Sequence, residues 1–181
     1  MKKILFQLLL SLAPGLLIAQ TETTKALQKK FDDSFSLYFY KNTLRMLNQT
    51  DNKEFDEMIK NIEKMKFLVI DKSKTNFGAV DYKKLVRDYK SETYEEAVTS
   101  RYQGKSFDVY LKDKKGSTLG TVVLVDDSTS LYVLDILGTI DVRKASQLFS
   151  TIDQSSDIGQ KIKSFMSKGE KGKGKELHIE E

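Results

Sequence analysis

A single α+β domain is predicted by three features of this sequence. Four consecutive runs between residues 94 and 138 read as strands, amphipathic helical stretches lie on either side of them, and no internal repeat or linker divides the body. The turns between the runs, "QGK", "KKGS" and "DDSTS", are short and polar, as antiparallel hairpins require. The implied sheet is therefore mixed or antiparallel, with about 5–6 strands including a C-terminal four-strand meander, and helices packed on at least one face.

After a polar lead-in over Thr21–Gln28, "SFSLYFY" sets Phe35, Leu37 and Phe39 against Ser36, Tyr38 and Tyr40, the pattern of a strand with one buried face. "NTLRMLNQT" reads as a short helix. "DNKEFDEMIKNIEKM" reads as the clearest helix, with Phe55, Met58, Ile59, Ile62 and Met65 on one side and Asp51 with Glu54 as a capping pair. "KFLVID" is a short apolar strand, and "FGAVDYKKLVRDY" is a helix with Tyr82, Leu85, Val86 and Tyr89 inward. The four strands follow as "YEEAVTSRY", "SFDVYLKD", "TLGTVVLVD" and "LYVLDILG". The last two are apolar on both faces and are expected to be central. "DVRKASQLFSTI" and "IGQKIKSFM" are two closing amphipathic helices.

The chain begins with Lys2 and Lys3, an apolar run from Ile4 to Ile18, and the small residue Ala19, the order of a cleavable secretory signal. Residues 1–19 are read as that signal, 30–167 as the α+β domain, and 168–181 as a Lys/Gly/Glu-rich tail without a core. Removing Lys2 and Lys3 from 30 basic residues leaves 28 against 26 acidic, too little excess for a nucleic-acid footprint. With no cysteine, the chain lacks disulfides, a thiolate nucleophile and the lipid-bearing cysteine of a lipoprotein. A soluble periplasmic or secreted protein is the expectation.

The stretches "FSLYFYKNTLRML", "YEEAVTSRYQGKSFDVYLKDKKG" and "LYVLDILGTIDVRKASQLF" together resemble the domain of unknown function 4252 family. In the last of them an apolar strand over Leu131–Leu137 meets Gly138, then Ile140 and Asp141, then a helix from Val142. The resemblance implies an exported, Bacteroidetes-type envelope protein in a regulatory or stress-response setting. It carries no catalytic residues to transfer.

No enzyme chemistry is assembled by the residues themselves. His178 is the only histidine and lies in the tail, so no Ser-His-Asp set or histidine zinc site is expected. Glu95 and Glu96 are neighbours on a strand and point to opposite faces, which separates them as an acid-base pair. Asp126 and Asp127 belong to a turn, where aspartate bonds its own backbone. "KGEKGKGK" follows no strand and opens no helix, unlike a phosphate loop. No cofactor, metal ligand or catalytic residue is therefore assigned.

Five tyrosines stand out instead: Tyr38, Tyr40, Tyr94, Tyr102 and Tyr110. If their strand faces coincide, they form an aromatic surface for a protein, peptide or sugar; the alternative is that their rings support the packing helices. The helix over 158–167 carries Lys161 and Lys163 beside Ile158, Ile162 and Phe165. Its narrow apolar stripe suits packing onto the domain better than a membrane surface. Gly138 and Asp141 are read as a structural joint, the glycine bending the chain and the aspartate capping the next helix. Asp135, an acid inside an apolar strand, is expected either to be paired or to reach water.

The function this supports is a non-enzymatic envelope protein that binds an unknown protein partner. The rivals are a glycan, lipid or small-molecule binding module, a carboxylate hydrolase using a sheet-face pocket, and an oligomer built on the strands.

Overall fold

The computed structural model describes residues 21–45, 48, 51–102, 104–141, 144 and 148. They form one α+β unit with four helices, α1 (Glu22–Lys30), α2 (Lys41–Arg45), α3 (Lys53–Ile59) and α4 (Ala79–Ser91). Its six strands are β1 (Phe35–Tyr40), β2 (Ile62–Asp71), β3 (Glu95–Tyr102), β4 (Lys105–Lys114), β5 (Ser117–Asp126) and β6 (Ser130–Gly138). The sheet order is β1-β2-β6-β5-β4-β3, and every neighbouring pair is antiparallel. The four-strand meander runs from β3 to β6, and β5 and β6 are interior, as their two apolar faces demand.

Helices cover both faces. On one face, Met65, Phe67 and Val69 of β2, Leu134 and Ile136 of β6 and Val123 of β5 pack with Leu44, Phe55, Met58 and Ile59 from α2 and α3, and with Ile140 and Leu148. On the other, Leu68, Ile70, Leu131, Val133, Val122 and Leu124 meet Leu27 of α1 and Phe77, Leu85 and Tyr89 on and before α4. Each of these large side chains contributes roughly 1.5–3 kcal/mol on burial, before the entropy of ordering it.

Two elements differ from the expectation. The helix expected over 51–65 ends at Ile59, and Ile62–Met65 open β2. The register of β2 against β6 shifts between Ile62 and Lys64, so Ile62 and Met65 reach the same core. A bulge that inserts one residue turns the strand period of two into a local spacing of three, which imitates a helix turn. The cap of α3 is Asn52, not Asp51: its side chain accepts from Glu54 N at 2.9 Å and Phe55 N at 3.2 Å.

The lead-in expected over Thr21–Gln28 is α1. Its inward side holds Thr23, Thr24 and Leu27, so the apolar stripe that marks a helix is nearly missing. What holds it is polar: Thr21 Oγ1 accepts from Thr24 N at 3.0 Å, and Glu92 at the end of α4 accepts from Thr23 N at 2.5 Å and Glu22 N at 3.2 Å. A carboxylate on a helix N-terminus satisfies amides that have no partner within the helix. The closing helices expected over 141–152 and 158–166, and the tail with His178, lie outside the described residues apart from Asp141, Lys144 and Leu148.

Candidate functional site

On the face covered by α1 and α4, the described residues leave the outer end of the sheet at Tyr38 and Tyr40 exposed. The register places Tyr40 opposite Lys64 and Tyr38 opposite Lys66, so all four project to the same side of β1 and β2. Tyr38 is 42% and Tyr40 56% exposed. Lys64 Nζ lies 5.6 Å from the Tyr38 ring centre and 5.3 Å from that of Tyr40, within cation–π range of both. Lys66 is fully buried, with Nζ 5.1 Å from the Tyr38 ring and donating to Gln28 Oε1. The Tyr38 hydroxyl donates to the same oxygen at 3.1 Å, and Gln28 Nε2 donates to Ser36 Oγ at 3.0 Å. One amide from α1 thus holds the floor of a two-tyrosine platform.

Beside this platform lies the partner of Asp135, which faces Lys66 across the β2–β6 pair and is 2% exposed. Its Oδ2 accepts from Thr21 N at 3.1 Å and Thr21 Oγ1 at 2.9 Å. Thr24 Oγ1 shares a hydrogen bond of 2.8 Å with the buried Tyr89 hydroxyl. Burial pushes the Asp135 carboxyl above the ordinary aspartate range, and the threonine hydrogen bonds and the Lys66 charge offset only part of this.

The five tyrosines do not form one surface. Tyr110 is buried, stacked on Tyr89 with centroids 6.4 Å apart, and burial pushes its hydroxyl up to about 12. Tyr94 precedes β3, is buried edge-on against Tyr89, and rests where a side chain on Gly120 would stand. These two support α4, as the packing alternative described. Tyr102 is 71% exposed at the far edge of the sheet, five strand positions from Tyr38 and Tyr40 in the order. Only Tyr38 and Tyr40 are brought together.

Asp108 anchors a second polar group on the same face that the sequence did not single out. It is buried on β4 and accepts from Arg101 Nη1 at 2.6 Å, from Thr99 Oγ1, and from the Tyr82 hydroxyl on α4. Burial alone would raise its carboxyl, but these three donors outweigh it and hold the group below the ordinary range. The signal was present as an acid between Phe107 and Val109 on an alternating strand, the same signal that marked Asp135.

Gly138 carries φ of +108°, and a Cβ there would come within 2.2 Å of Asn61 O. The next amide, Thr139 N, donates to that oxygen at 3.1 Å, so the glycine lets β6 turn against the start of β2. Asp141 accepts on its backbone oxygen from Lys144 N at 2.8 Å. In the β5–β6 turn Asp127 Oδ1 accepts from Thr129 N and Ser130 N, both at 2.8 Å. Among the described residues no group of three or more His, Cys, Asp or Glu side chains is arranged to hold a metal, and no helix is long and apolar enough to cross a membrane.

These features define an open antiparallel sheet clamped between helices, with two buried aspartate clusters and an exposed tyrosine–lysine platform at one end. The chain belongs to the Domain of unknown function (DUF4252) family, which it matches over residues 19–148, from just before α1 to the buried Leu148. No curated protein and no solved structure matches it.

Proposed function

We propose that this chain is an exported, non-catalytic interaction module that takes an acidic segment of a partner protein across Tyr38, Tyr40 and Lys64. The observation that carries this reading is the pair of exposed rings with one ammonium against both. The Tyr40 hydroxyl and an ammonium offer hydrogen-bond donors and positive charge to a carboxylate-bearing chain, while the two rings supply apolar contact at low entropic cost. The charged and apolar order of residues 1–19 supports delivery across a membrane, which puts the partner in the periplasm or outside the cell.

A photo-crosslinking residue at position 40 tests this in intact cells. A recurrent acidic partner, lost when Lys64→Glu reverses the charge, is expected; only random neighbours would sink the reading. A glycan is the second reading, favoured by the two ring faces side by side. Envelope sugars that raise the melting temperature, with the gain lost in Tyr38→Ala and Tyr40→Ala, would select it over the protein partner.

A further inference from the structure

At the end of the sheet opposite the platform, β3 has all eight residues exposed and, among the described residues, one row of backbone groups without a neighbouring strand. Its charge is ordered: Glu95 and Glu96 begin it and Arg101 stands next to its end. We infer that β3 pairs antiparallel with the β3 of a second copy of this chain, about a two-fold axis at Thr99, to give one continuous twelve-stranded sheet.

The register follows from the faces of β3. Glu95, Val98, Ser100 and Tyr102 lie opposite Leu111, Val109, Phe107 and Lys105 of β4, on one face. Glu96, Thr99 and Arg101 lie opposite Tyr110, Asp108 and Ser106, on the other, and the register shift between Glu96 and Val98 absorbs Ala97. A two-fold axis normal to the sheet at Thr99 keeps each face continuous across the pair. It sets Glu96 opposite the second copy's Arg101, Val98 opposite Ser100, and Glu95 opposite Tyr102, each twice.

Charge selects this arrangement over a parallel one, which would set Glu96 beside Glu96 and Arg101 beside Arg101. Arg101 is free to serve both contacts. Its side chain is 57% exposed and only Nη1 is bound to Asp108, while a guanidinium has five donors in a fork. Val98 and Tyr102, among the exposed large apolar side chains, gain cover on the same face. The other edge, β1, carries no charged residue that would set a register. The inference is independent of the proposed function; a dimer through β3 leaves a Tyr38–Tyr40 platform at each outer end.

Light scattering of the full chain across a concentration series tests the pairing. A dimer is expected, and Glu96→Lys weakens it about tenfold. Mixing Glu96→Lys with Arg101→Glu restores it as a heterodimer, because each interface then pairs opposite charges. Arg101→Glu places an acid beside Asp108 and risks the fold, so a second measurement uses the absence of cysteine from the chain. Oxidised Thr99→Cys forms a covalent dimer, since residues directly opposite lie within disulfide reach. Val98→Cys and Ser100→Cys link only when mixed. A monomer at every concentration, a dimer indifferent to Glu96→Lys, or linkage by Ser100→Cys alone with Thr99→Cys silent would overturn the pairing.

Discussion

Asp108 and Asp135 sit on the same face of one sheet, both buried inside strands, yet their carboxyls move in opposite directions. Asp108 is held below the ordinary range and Asp135 is raised above it. Desolvation is the first cause in both, so burial does not decide the sign; the donors do. Asp108 has a guanidinium at 2.6 Å and two hydroxyls. Asp135 has one amide and the hydroxyls of a helix cap, with Lys66 acting on it while bound to Gln28. Charged donors in direct contact stabilise the ionised form roughly twice as well as neutral ones.

The linkage has opposite signs at the two sites. With its folded pKa lowered, Asp108 contributes stability above the unfolded value of about 3.9, and this is lost as pH falls through the folded value. With its folded pKa raised, Asp135 is most favourable below about 3.9, and that advantage is lost as pH rises through its folded value.

The sharpest way to break the contrast is Asp108→Ala, which leaves the Tyr82 and Thr99 hydroxyls without their acceptor. A loss of about 3 kcal/mol is expected at pH 7 in urea unfolding, shrinking below pH 4; an equal loss at both pH values would contradict the assignment. Next in size is Thr21→Val, which removes the α1 cap and one donor to Asp135 together. About 1 kcal/mol is expected, with the carboxyl titrating still higher by NMR; an unchanged titration would show that the hydroxyl does not act on Asp135. The smallest effect belongs to Asp135→Asn at pH 7, within about 1 kcal/mol of the parent, because relief of a buried charge opposes the loss of the anion beside Lys66. Its mark is a flatter stability profile as pH rises from about 4, and a profile parallel to the parent would refute the raised carboxyl.

Most strands were legible because each has an apolar face at period two or an apolar run between turn residues. Ile62 and Met65 misled because a bulge gives a strand a helix-like spacing. α1 was hidden for the opposite reason: a helix held by threonine hydroxyls and by Glu92, far along the chain, leaves little periodic trace. The tyrosines stand out in the sequence, but which way each one faces depends on which strands are neighbours. Tyr110 turns inward onto Tyr89, while Tyr38 and Tyr40 stay exposed, with Gln28 of α1 touching the Tyr38 hydroxyl.

From its sequence alone this protein was determined as one α+β unit with a hairpin meander, two interior apolar strands, a glycine joint at 138 and a family resemblance. Those properties are local, set by hydrophobic period, turn chemistry and motif. Tertiary structure alone decided that Thr21 meets Asp135, that Arg101 and Tyr82 meet Asp108, and that β1 and β3 are the edges of the six-stranded sheet. Such contacts join residues as far as 114 apart in the chain, and polar partners leave no periodic pattern by which either end can be matched to the other.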